Sequence, residues 1–112
     1  MELAVISRKI IATVKALQEA REALQEARVR ELDAKEAYVV AEARAWLTFE
    51  GSVKEKDSRT VIAVSQDRYA YDKAALMVKT TQERIRQLEK EFDASQSLSA
   101  IERAVMRADG TT

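Results

Sequence analysis

The chain contains no cysteine, no histidine and no proline, and only two glycines, Gly51 and Gly110, in 112 residues. The lack of cysteine excludes a disulfide framework, and the lack of both cysteine and histidine excludes thiolate and imidazole metal sites. Ser52, Ser58 and Ser65 therefore have no histidine to activate them. No Gly-rich phosphate loop or nucleophile elbow is present either. Enzymatic activity is not expected. Proline and glycine are the residues that most often end a helix, so their scarcity leaves long stretches with nothing to interrupt one. Long hydrophobic runs are missing too: no stretch approaches the roughly 20 apolar residues that span a bilayer.

Neither sign of charge is in excess. Nineteen Lys and Arg balance nineteen Asp and Glu. The balance is local as well, with eight basic and nine acidic residues in 1–51 and eleven and ten in 52–112. Binding to a polyanion needs a local basic surplus. Two small clusters come nearest, one of Lys54, Lys56 and Arg59, the other of Arg84, Arg86 and Lys90. Arg68, beside Tyr69, Tyr71 and Lys73, adds a faint stacking platform of the kind that takes single-stranded nucleic acid. Acids at Glu55, Asp57, Glu83, Glu89 and Glu91 interrupt the clusters. They read first as solvated, mixed-charge helix faces.

What remains is 46% apolar and 34% charged residues, the composition of long amphipathic helices. Leu3, Ile6, Ile10, Val14 and Leu17 recur at helical spacing. An acid at position 2, and a basic pair that follows the apolar run, do not match a secretory signal; a cytoplasmic setting is expected. The segment Ala-Leu-Gln-Glu-Ala-Arg at 16–21 returns at 23–28, seven residues on. That is a heptad signature, with Ile10, Leu17 and Leu24 in one column and Thr13, Ala20, Ala27, Ala34 and Ala41 in the other. After Leu24 the large residues move to Leu32, Val39 and Trp46, flanked by Val29, Ala43, Val40 and Leu47. This predicts a stripe that shifts around the helix.

Gly51 suits the left-handed position just past a helix end, and Ser52 with Glu55 forms a capping box that starts the next helix. A connection this short favours antiparallel neighbours. In the second helix Val64, Tyr71, Val78, Ile85 and Phe92 recur every seven residues, with Ala74, Thr81 and Leu88 between them. Asp57–Thr60 is a place where that helix frays or re-caps before Val61. The pattern loosens over 93–99, and Ser99 with Glu102 makes a second capping box. The expected fold is therefore all-α: a long antiparallel, coiled-coil-like hairpin with a short C-terminal helix. It forms a single domain over 1–112, with helices at about 3–49, 53–94 and 99–108 and a turn at about 50–52. Each long helix would measure on the order of 60–70 Å at 1.5 Å per residue.

A lone two-helix hairpin of this size buries little apolar surface against the entropy of ordering its chain. Tyr38, Val39, Trp46, Leu47 and Phe49 cover more of the first helix's circumference than one partner helix can shield. With Tyr69, Tyr71, Val78, Ile85 and Phe92 on the second helix, they are the expected interface residues. The chain is thus expected to pair into a multi-helix bundle, as a dimer or larger homo-oligomer, and to take a heterologous protein partner. The runner-up function is a nucleic-acid accessory protein using Lys54, Lys56, Arg59 and Arg68. Acidic groups at helical spacing, Glu19 with Glu22 and Glu26, and Glu89 with Asp93, lack the Glu-x-x-His motif of di-metal bundles. Basic neighbours such as Lys35 near Glu31, and Arg86 between Glu83 and Glu89, explain acids on these helices as surface pairs. No metal or cofactor is expected.

Two familiar hairpin families do not match. Proteins with Trp-x-Gly at the turn would need the tryptophan closer than Trp46 lies to Gly51, and prefoldin-like subunits need strands where this turn leaves no room. Over about residues 30–90 the chain resembles small helical-hairpin proteins encoded by bacteriophages. The likeness rests on the glycine turn with mixed charges, Gly51-Ser52-Val53-Lys54-Glu55-Lys56-Asp57, on Tyr69 and Tyr71, and on the segment from Thr81 to Leu88. It implies a role in the cytoplasm of an infected bacterium, as a replication or recombination accessory or as an inhibitor that grips a host protein.

Overall fold

The structure, a computed structural model, describes residues 2–110. It is all-α and hairpin-like, with α1 at Leu3–Thr48, α2 at Val53–Ala63 and α3 at Ser65–Gly110. The reversal between α1 and α2 is built from local chemistry. Thr48 closes α1 by donating its hydroxyl to the Arg44 carbonyl at 2.8 Å. Gly51 then takes φ +122°, a conformation that side chains with a Cβ rarely adopt. Ser52 is the N-cap of α2: its Oγ accepts the Glu55 backbone N–H at 3.2 Å. Its carbonyl accepts the Lys56 N–H at 2.9 Å, the first rung of the new helix.

Between α2 and α3 only Val64 leaves helical geometry, at φ −102° and ψ 14°. The hydrogen-bond ladder continues past it: the Val64 N–H donates to the Thr60 carbonyl at 3.0 Å, and the Arg68 N–H to the Val64 carbonyl at 2.9 Å. The run Thr60-Val61-Ile62-Ala63-Val64 holds four β-branched residues, whose stiff side chains make it the poorest helix-forming stretch nearby. The interruption falls at its end.

The chain forms two compact units. One comprises the stretch Leu24–Thr80, with the C-terminal half of α1, the turn, α2 and the start of α3. The other joins the first part of α1, up to Ala23, to α3 from Thr81 onward. In the unit containing the turn, α1 turns inward Leu24, Ala27, Glu31, Ala34, Tyr38, Ala41 and Ala45, all buried or half-buried. Facing this set, Thr60, Val64 and Val78 are buried, and Asp67, Tyr71 and Ala74 half-buried. In the other unit Ile6, Thr13, Leu17 and Ala20 of α1 are buried, as are Ile85, Leu88, Ser95 and Ser99 of α3.

Two expectations are corrected. The C-terminal helix is not short: α3 spans 46 residues, the same as α1, and runs without a break through 93–99. The helix expected at 53–94 is instead α2 plus the first part of α3, and the one expected at 99–108 is the end of α3. The physical reason is register. Ser95 and Ser99 extend the two seven-residue columns that run through Leu88 and Phe92, and they are 1% and 6% exposed. A seam that continues inward holds the helix together, and serine weakens a helix only slightly. The predicted shift of the α1 stripe also does not occur. Leu32 and Val39 are 65% and 52% exposed, while the inward positions keep their seven-residue spacing. Because α2 and α3 keep one register opposite, a helix packed along them has to keep its own.

Candidate functional site

The side chains with distinctive chemistry gather in the unit that contains the turn. Tyr38, on α1, is the centre of one group. Its hydroxyl donates to Glu42 Oε2 at 2.9 Å, one helical turn on. Its ring lies 6.1 Å from that of Tyr71, tilted by 34°, a separation typical of favourable aromatic pairs. The Arg68 guanidinium sits 5.9 Å from the centre of the Tyr38 ring, and Arg68 Nε is 3.8 Å from Asp72 Oδ2. The neighbouring Tyr38 hydroxyl, and then the Asp72 carboxylate, hold Arg68 above its ordinary pKa, so it is always charged.

Closer to the turn, Lys56 places its ammonium 4.4 Å from the centre of the Trp46 ring. A cation over an indole at a partly exposed site is worth about 0.5–1 kcal/mol. Beside this pair a groove of 590 Å³ opens between α1 and α2. Val39, Ala43, Trp46 and Leu47 form its α1 wall, and Asp57, Thr60 and Val61 line it from α2. Glu42 also lines it, so the lining is largely apolar with two acids. Thr60 is 5% exposed and its hydroxyl has no hydrogen-bond partner.

Of the ten residues expected at an interface, Val39, Leu47 and Tyr69 are exposed, at 52%, 82% and 65%. Tyr38, Trp46, Phe49, Tyr71 and Phe92 are half-buried, and Val78 and Ile85 belong to the chain's own core. The fold brings Trp46, Leu47 and Val39 together at the groove, and pairs Tyr38 with Tyr71. Of the four cations considered for nucleic acid, Lys56 and Arg68 lie against aromatic rings, while Lys54 and Arg59 are exposed. Asp72 lies beside Arg68, and Asp57 lies between Lys56 and Arg59 in the sequence.

Sequence reasoning found one exposed set only in part. Ile62, Tyr69 and Leu76 are 75%, 65% and 62% exposed and recur every seven residues along α2 and α3, and of these only Tyr69 is among the expected interface residues. The same spacing argument that found the core column finds this one. Among the described residues no cluster of three or more His, Cys, Asp or Glu could hold a metal ion. Nor is any helix there long and apolar enough to cross a membrane. No known protein family, characterised protein or solved structure matches the chain.

Proposed function

We propose that the chain is a non-enzymatic protein–protein interaction module that self-associates and acts as an adaptor or inhibitor of another protein. One observation carries this reading. Among the described residues eight apolar side chains are buried, two of them alanines, while eighteen large apolar side chains are exposed. The hairpin thus leaves more large apolar surface outside than it buries, and more than scattered surface residues would. The groove beside Trp46 gives part of that surface a concave shape. The resemblance to phage-encoded hairpin proteins adds a setting, the cytoplasm of an infected bacterium, where a small helical module would grip a host or phage protein.

Sedimentation velocity at micromolar concentration tests the self-association. The unmodified chain should sediment as a dimer or larger, and Trp46→Ala should weaken the assembly about tenfold or more, in keeping with loss of a large aromatic anchor. A well-folded monomer across that range refutes the reading. Affinity capture from the native cell, followed by mass measurement of the intact complex, identifies the heterologous partner.

A further inference from the structure

The outward face of α1 between Gln25 and Trp46 carries a second seam, and we propose that α1 of a second copy of this chain covers it, running antiparallel. This rests on the self-association proposed above and assigns it a surface. Leu32, Val39 and Trp46 recur every seven residues, and Val29, Glu36 and Ala43 fall between them, in the alternation of three and four that marks a coiled-coil seam. This seam is distinct from the inward one of Ala27, Ala34 and Ala41. Val29, Leu32 and Val39 are open to water, at 53%, 65% and 52% exposed, while Trp46 is half-buried with Lys56 over its ring. Val40 and Leu47, which flank it, are 40% and 82% exposed. These five side chains leave on the order of 450 Å² of apolar surface, close to the apolar share of the roughly 800 Å² that each partner contributes to a standard-sized interface.

Charge selects the occupant and its direction. Lys35 and Glu42 lie on the same flank of the seam, both exposed, seven residues apart. Glu42 accepts the Tyr38 hydroxyl through Oε2, which leaves its other oxygen for a partner. Laid antiparallel on itself, with Leu32 opposite Ala43 and Val29 opposite Trp46, the seam brings Lys35 of each copy beside Glu42 of the other. One two-fold axis, passing near residues 37 and 38, therefore makes two reciprocal ion pairs, as an isologous interface requires. A parallel pairing in register would instead press Glu36 against its own copy at the centre of the seam, a like-charge contact that the antiparallel one replaces with Val39.

The test is a charge exchange between two variants. Lys35→Glu and Glu42→Lys should each raise the dimer dissociation constant about tenfold or more, because each sets two like-charge contacts across the two-fold axis. Mixed in equal amounts, the two variants should recover the affinity of the unmodified chain, since the acid at position 35 of one then faces the lysine at position 42 of the other. Trp46, the only tryptophan, lies in the seam and reports assembly by its emission, alongside sedimentation. Single variants that assemble as tightly as the unmodified chain, or a mixture no tighter than either alone, overturn this pairing and leave self-association through another surface, or a foreign helix on this one. An unmodified chain that stays monomeric overturns both.

Discussion

Ser95 is 1% exposed and its hydroxyl has no hydrogen-bond partner. Leaving a hydroxyl buried and unpaired costs about 1–3 kcal/mol, and alanine is the better helix former. Ser95→Ala, which removes one oxygen and little volume, should therefore raise the unfolding free energy by about 1 kcal/mol, as measured by denaturant titration. A loss of similar size would mean that the hydroxyl is bonded after all. Other single residues differ in how readable they were. Gly51 could be read in advance because its role is local: a helix end that closes in the left-handed region favours glycine, and one glycine stands between two helix-forming runs. The placement of Lys56 on Trp46, or of Arg68 on Tyr38, could not be. Those partners lie 10 and 30 residues apart, and only the axial match of packed helices brings them together.

α3 displays the contest between a local signal and a long-range one. Ser99 followed by Glu102 looks like a helix start, yet both fall on the inward columns that continue from Leu88 and Phe92, with Ser99 buried and Glu102 half-buried. A capping box acts only where the chain leaves the helix, and the seam gives it no reason to leave. Protection from amide hydrogen exchange should accordingly fall off smoothly along the C-terminal half of α3. A local minimum of protection across 93–99 would restore the break. The reverse case is α2. Its separation from α3 at Val64 follows a β-branched run that the sequence displays openly, although the expected fraying lay a few residues earlier, at 57–60. There the intrinsic preference prevails because only one residue has to deviate, and the ladder closes on both sides of it.

For the molecule as a whole, composition governs the response to pH. With no histidine and no cysteine, no side-chain type present has its ordinary pKa between about 5 and 8. Arg68 is held above its ordinary pKa. A raised pKa stabilises the fold fully below the unfolded-state value and loses that contribution only as pH climbs through the folded-state value, here beyond the ordinary arginine range. The melting temperature should thus be nearly flat from pH 6 to 8 at fixed ionic strength and protein concentration. A slope of several degrees there would require a titrating group that Arg68 does not supply. The same balanced charge leaves the chain without the net basic surplus on which binding to a polyanion rests.

Helical content, the reversal at Gly51 and the register of α3 follow from sequence, because each depends on neighbours within a turn or two: helix propensity, a glycine at positive φ, one apolar residue every seven. Which of the two apolar stripes of α1 faces inward does not follow. Ala27, Ala34 and Ala41 form one, Leu32, Val39 and Trp46 the other, and both satisfy helical periodicity equally well. Larger residues bury more area, so sequence reasoning favours the second. The folded chain takes the first, since small side chains let α1 approach a neighbouring helix closely, and Val64, Tyr71 and Val78 supply the bulk from across the seam. That choice is made by two surfaces fitting each other, and it leaves Leu32 and Val39 outside.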